Sequence, residues 1–567
     1  MRKCRSKSGY NCDFTAVLPL PRRDRDHALL VVNHEYTNEE LMFHGWRAQG
    51  GAAGATAEQI RIAMAAHGLS VVEIERVGET GQWRRSSRRV LNRRITANTP
   101  MQLTGPAAGC ALVRTSADPE GRTVLGTINN CAGGTTPWGT TLHGEENFNG
   151  YFRASEATPD SQKDSYGNDA YARYTIGSKP TDPFYRNWEL VDRRFATSAE
   201  PNEPNRFGWI VELDPYDPDA MPKKRTALGR FKHEGANIRL AKDGRVVAYS
   251  GDDERFEYIY KFVSHKTFRR DDTREARRHN MTLLDEGDLY VGQFTGDSPA
   301  AEIDGSGRLP SDGAFDGTGR WLPLVKGGRS MVPGYTVEEV LVWTRLAADA
   351  LGRAADGTPA PQNGPTKMDR PEDIEANLRT GKVYAALTNN SRRTTVDEAN
   401  PRPANKHGHV LEISEDGNDA AAETFTWQLF IVAGDPSAPD TYFGGYDKSQ
   451  VSPISCPDNV AFDRSGNLWI STDGNQLGSN DGLFAVATEG PHRGHLKQFA
   501  TVPIGAECSG PFLTRDQRTA IMSVQHPGES DEASTENRIS TFPYGGQPRP
   551  TVVTIWRSAP GDDRIGT

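Results

Sequence analysis

The sequence is short of cysteine, of long apolar runs and of positive charge, and each shortage removes a class of protein. Its six cysteines, Cys4, Cys12, Cys110, Cys131, Cys456 and Cys508, are too few to build a 567-residue fold from disulfides. None are spaced as Cys-x-x-Cys, which argues against a zinc ribbon and leaves individual disulfides open. No stretch is long and apolar enough to span a membrane as a helix. The formal charge of −9 argues against general affinity for nucleic acid or an anionic membrane. Met1 to Gly9 is basic but lacks the apolar segment of a signal peptide, which taken alone points to the cytoplasm.

What is present is a recurring layout. After Cys456-Pro457-Asp458-Asn459, an apolar strand reaches Ser465-Gly466, and a second strand ends at Thr472-Asp473. A hairpin brings the start of its first strand beside the end of its second, so Asp458 and Asp473 are expected as neighbours. The layout returns from Glu234 through Asp243-Gly244 to Asp252-Asp253, and from Glu372 through Gly381 to Thr388-Asn389-Asn390. It returns again from Glu507 through Asp516 to Gln525-His526, and a weaker copy runs from Cys110 through Asp118 to Asn129-Asn130-Cys131. Five such hairpins predict an all-β propeller whose ligand-bearing edges meet at one mouth of a central channel. Carboxylates gathered there repel one another unless cations neutralise them, so the pattern predicts metal before any reaction.

Further candidates lie between the copies. Leu29 to Val32 reads as a buried strand running into Asn33-His34-Glu35, where Glu35 is either a metal ligand or a capping group. Ala55 to Gly68 has helical spacing. Glu145-Glu146 follows a glycine-rich turn and a strand, and an enclosed carboxylate needs a partner, of which a cation is the simplest. The arginines between Trp83 and Ile95 read as a solvated face rather than an anion site. Arg370 stands two residues before Glu372 and is either a clamp for phosphate oxygens or a salt-bridge partner of a neighbouring acid.

The ordered blocks resemble those of the PhoX-type alkaline phosphatases. They are Asn33 to Asn38, Asn129 to Ala132, Thr136 to Thr140, Glu145 to Phe152, Lys232-His233-Glu234, Arg370 to Asp373 and Cys456 to Asn459. The resemblance runs from about Tyr10 to about Glu529. It implies a six-bladed β-propeller with long loop and helical insertions, forming one domain over residues 10–556, and a truncated or disordered segment over 1–9. It implies hydrolysis of phosphate monoesters by a cluster of Fe3+ and Ca2+. Cys131 matches the iron-binding thiolate, Glu146, Glu234 and Glu372 match acidic metal-ligand positions, and Arg370 matches the phosphate-binding arginine. Glu35, Asp458 and Glu507 join the metal set on repeat geometry, while Cys110 and Cys508 are expected in the core. Arg370 and Glu372 are the expected catalytic pair. The family further implies a monomer in the periplasm or outside the cell, exported by twin-arginine machinery and acting on small organic phosphates. The competing readings are a calcium-dependent propeller lactonase or esterase, and a non-catalytic calcium-binding propeller.

Overall fold

The computed structural model describes residues 8–20, 26–153, 157–177, 185–354, 358, 360–558 and 564–565. The expected segment 1–9 lies outside them up to residue 7. The described residues form mostly antiparallel β-sheets, in agreement with the all-β expectation.

Six hairpins organise the sheets. In chain order they are Cys12–Pro19 with His27–His34, Asn130–Thr135 with Thr141–Glu145, Asn237–Leu240 with Arg245–Gly251, Pro371–Ala376 with Val383–Leu387, Pro457–Phe462 with Leu468–Thr472, and Glu507–Leu513 with Ala520–Gln525. The first strand of each hairpin is the end strand of its sheet. These six end strands pack against one another in chain order, and the sixth returns to the first, closing a ring. Strand edges that would otherwise be open are covered by one another at the centre. The third and fourth hairpins end one continuous sheet, because Asp316–Lys326 pairs with Gly287–Gly296 on one side and Thr424–Val432 on the other.

The weaker copy starting at Cys110 is not a hairpin of this set. Cys110 precedes a short 3-10 helix, and Thr123–Leu125 pairs with Pro100–Thr104 instead. The hairpin at this place lies one strand further on, beginning at Asn130, so that Cys131 opens it rather than closing the previous unit. Gly133 and Gly134 continue the strand after Cys131, and the turn that closes the hairpin comes at Gly139, with a φ of 85°. Glycine is also required where Gly134 approaches the next hairpin, since a Cβ there would lie 2.1 Å from the Ala236 carbonyl.

Apolar side chains fill the spaces between sheets, as with Ala16, Leu29, Val31, Leu69 and Val211 between the first and second units. The helix Ala57–Ala66 forms as the spacing predicts, opened by a reciprocal Thr56–Gln59 cap and burying Ile60, Ala63 and Met64. Arg84, Arg85, Arg88 and Arg89 are exposed, as expected of a solvated face, but Arg93 and Arg94 are half-buried and donate to backbone carbonyls such as those of Ala220 and Ala66. Cys508 is fully buried and Cys110 half-buried against apolar neighbours. Among the described residues the cysteines are free thiols and no helix is long and apolar enough to cross a membrane.

Candidate metal centre

Four of the six hairpins turn their ligand residues to the same end of the ring by a shared backbone device. In the first, second, fourth and fifth hairpins the register slips just after strand entry, two residues on the first strand facing one on the second. Such a bulge re-aims side chains at the sheet edge. The residues inside these slips include Asp13, Cys131, Glu372 and Asp458. Two residues before each of them the chain takes a left-handed turn, at Asn11 (φ 28°), Asn129 (φ 49°), Arg370 (φ 56°) and Cys456 (φ 55°). Side chains rarely adopt that conformation, and its recurrence marks a strained entry at the functional edge.

All eight residues singled out from the sequence line one cavity of about 460 Å³: Glu35, Cys131, Glu146, Glu234, Arg370, Glu372, Asp458 and Glu507. Glu35 follows the first hairpin, making it a sixth copy of the layout with Asp13 at its start. Asp458 and Asp473 both line the cavity, as the hairpin argument requires. Asp253 and His526 close the third and sixth hairpins in the same way, and Glu254 and Glu529 join them. Asp13, Asp253, Asp473 and His526 stand within or beside the repeated layout but were not among the expected ligands. For Asp13 the one signal was its place at the start of a strand whose partner ends in Glu35.

The pair Glu145-Glu146 divides its roles by strand alternation. Glu145 is fully buried against Lys224, 2.7 Å away, and accepts the backbone N–H groups of Gly208 and Trp209, so its partner is a lysine rather than a metal ion. Glu146 faces the cavity. Asp252 and Asp253 divide likewise, Asp252 pairing with buried Arg345 and Asp253 entering the cavity.

Ten carboxylates line this cavity against Arg186, Lys232, Arg370 and His526. Ligand atoms of Asp13, Glu35 and Cys131 lie within 4.8 Å of one another, as do those of Cys131, Glu146 and Glu234, and those of Glu234, Asp253 and Glu372. A fourth group is Asp473, Glu507 and His526. The Cys131 thiol donates to Asp13 Oδ2 at 3.0 Å. Burial and the neighbouring acids push the carboxyls of Glu35, Glu146, Glu234, Glu372 and Asp458 well above their usual range. For Asp458 the acids responsible are Glu372, Glu507 and Glu234, so repulsion reaches across three other hairpins. Burial and Asp473 raise Glu507 to about 8. Cys131 is raised by burial and by Asp13 and Glu234.

Other side chains hold these acids in place. Asn129 donates to Glu35 at 3.2 Å, Thr388 to Glu372 at 2.8 Å and Gln525 to Glu507 at 3.3 Å. His526 lies 2.8 Å from Glu529 and 3.3 Å from Glu507, and these acids override the burial that would discharge it. Arg370 forks onto Asp253, with Nε and Nη2 at 2.8 and 2.9 Å, and also meets Glu372 at 2.9 Å. Burial alone would raise Asp253, but the Arg370 guanidinium holds it below the usual carboxylate range. The salt-bridge reading of Arg370 is therefore realised within the cavity wall, by a turned rather than an extended backbone.

The donor set fits a cluster of cations. Asp13 Oδ1 and Glu234 Oε2 are buried without hydrogen-bond partners, and a buried acceptor left without a donor is costly. Multivalent ions would meet those atoms and remove the mutual repulsion. The thiol suits a transition metal and the carboxylates suit harder ions.

A family model described as alkaline phosphatase PhoX matches residues 2–528. PhoX from Pseudomonas fluorescens, solved in complex with vanadate, a transition state analogue, is 38% identical, with 98% of this chain and 89% of that chain covered and a TM-score of 0.81. A protein of unknown function from Dyadobacter fermentans is 10% identical over 92% of this chain and 93% of its own, at a TM-score of 0.38. A gluconolactonase from Xanthomonas campestris is 12% identical over 56% of this chain and 79% of its own, at a TM-score of 0.20. No curated protein sequence matches significantly. With the family model spanning most of the chain and the Pseudomonas structure covering nearly all of it, the chain belongs to the PhoX alkaline phosphatase family.

Proposed function

We propose that this protein is a metal-dependent alkaline phosphatase that hydrolyses phosphate monoesters at the cavity where the six hairpins meet. The observation that carries the reading is Cys131, whose thiol stands among Asp13, Glu35, Glu146 and Glu234 at the cavity wall. A calcium-dependent lactonase or a non-catalytic calcium propeller has no use for a thiol there. Family membership supports the same choice, and the vanadate bound by the Pseudomonas relative fits a phosphoryl-transfer site.

In this proposal the ring of six end strands is the centre of a six-bladed propeller forming one domain over residues 10–556. The metal ions are Fe3+ and Ca2+, held by Cys131, Glu146, Glu234, Glu372, Glu35, Asp458 and Glu507, with Asp13, Asp253 and Asp473 added from their positions in the structure. When bound, such ions neutralise phosphoryl oxygens and acidify a water for attack at phosphorus. Arg370 adds guanidinium donors to the phosphoryl group, and Asp253 and Glu372 fix its fork in orientation. Thr388 holds Glu372, and the Glu507–His526–Glu529 chain holds the opposite wall. The protein acts as a monomer on small organic phosphates, without nucleic acid or membrane, in the periplasm or outside the cell after twin-arginine export.

Cys131→Ser tests the choice of metal. Iron is expected to be lost from the purified variant together with turnover of a chromogenic phosphate monoester at alkaline pH. A variant with full turnover and unchanged metal content contradicts the assignment.

A further inference from the structure

The cavity's basic groups are not equivalent. Lys232 is paired with Glu254 at 3.1 Å, and Arg370 is locked onto Asp253 and Glu372. Arg186 is pinned along one edge only. Its Nη1 donates to the Thr37 carbonyl at 2.8 Å and to Glu39 at 2.7 Å, while Nη2 has no bond to the described residues. Its Nε is buried without a partner. The guanidinium carbon lies 5.8 Å from the centre of the Tyr36 ring and 6.0 Å from that of Tyr151. Both rings are anchored in turn, Tyr36 donating to Glu529 at 3.0 Å and Tyr151 bonding His67 at 2.8 Å. Two rings and one carboxylate thus hold a charged, flat group against the cavity with hydrogen-bonding capacity to spare.

Its place in the ring matters as much as its chemistry. Tyr36, Thr37 and Glu39 follow the first hairpin, whereas Arg370 enters the fourth. The first and fourth of six units in a closed ring face each other across its centre. The cavity therefore carries one guanidinium on each side. Beyond the metal ions, an anionic tail needs a cation of its own to receive it, and Lys232 and Arg370 are already paired with acids of the wall.

We propose that Arg186 is a specificity-determining residue that receives a second anionic group on the substrate, so that the preferred esters are phosphates of small alcohols bearing a carboxylate or a second phosphate. This rests on the phosphatase reading above. The phosphoryl group to be cleaved lies on the Arg370 side, and the leaving alcohol points its own anion at Arg186. The volume of about 460 Å³ suits a few-carbon leaving group.

The test compares KM and kcat for glycerol phosphate, 3-phosphoglycerate and propane-1,3-diol bisphosphate in the metal-loaded wild type, Arg186→Gln and Arg186→Lys. One charge-assisted hydrogen bond corresponds to roughly a tenfold effect. Wild type is expected to show a KM about tenfold lower for at least one of the two substrates bearing a second anionic group than for glycerol phosphate. That ratio collapses towards one in Arg186→Gln and is partly restored in Arg186→Lys. Which of the two substrates shows the effect identifies the anion that is read. A wild type that does not discriminate, or a ratio unchanged in Arg186→Gln, overturns the proposal while leaving the phosphatase reading intact. Absence of turnover of all three substrates overturns both. The wild-type comparison stands even where a variant fails to fold.

Discussion

Arg370 does two things at once, and only one of them is structural. Its fork satisfies Asp253 and Glu372, two buried acids that would otherwise repel each other. Its side chain also remains 22% exposed and lines the cavity. Arg370→Ala is expected to lower kcat/KM for a phosphate monoester on the order of 100-fold, as removal of a transition-state donor does, while bound metal is retained. Unchanged turnover with a lowered melting temperature would mean a purely structural ion pair. That Arg370 belongs beside Glu372 was legible from its place two residues ahead, but the contact is made through a left-handed turn at Arg370 rather than the extended backbone that offset implied. The acid it grips was not legible, because Asp253 lies on a different hairpin and only the closed ring joins them. The roles of Glu145 and Glu146 were hidden for a similar reason. Lys224, which takes Glu145, is distant in sequence.

The hairpin is the element that carries the design. Its alternation, turns and terminal acids were readable because a two-residue period and glycine turns are local properties. The bulges at Asp13, Cys131, Glu372 and Asp458 were not, since a register slip depends on the partner strand. That is why Asp13 escaped notice, whereas the copy assigned to Cys110 sat one strand too early because Thr123–Leu125 takes a non-local partner, Pro100–Thr104. Close approach between hairpins depends on glycine at two revealing points. A Cβ on Gly251 would lie 2.1 Å from the Glu372 carbonyl, and one on Gly510, which has a φ of 54°, would lie 2.4 Å from that of Asp13. Gly251→Ala must push the third and fourth hairpins apart at a ligand residue. The expected cost is roughly 1–3 kcal/mol in chemical denaturation, with weaker metal retention. A variant as stable as wild type would show that the ring tolerates separation there.

At the scale of the whole molecule, six sheet ends close on a cluster of acids, and the stability of the closed ring is tied to what neutralises them. Glu507 illustrates the sign. Its carboxyl is raised to about 8 in the folded protein by burial and Asp473, against an ordinary value of 4.5. A folded state that binds the extra proton is favoured below the unfolded value and loses that advantage as pH rises to the folded one. The metal-free protein is therefore expected to lose stability between about pH 4.5 and 8, and Glu507→Gln to flatten that slope. Denaturation midpoints across this range, with and without bound metal, measure it. Stability rising with pH in the metal-free form would contradict the electrostatic picture. Closure of the ring could be expected from repetition, whereas the merging of the third and fourth units through Asp316–Lys326 depends on long insertions with no periodic signal.

The most direct measurement is turnover of a chromogenic phosphate monoester at alkaline pH before and after dialysis against a calcium chelator, with metal content counted in the same samples. The account predicts bound iron and calcium, loss of activity as calcium leaves, and recovery on its return. Full phosphatase activity in protein stripped of metal would contradict it.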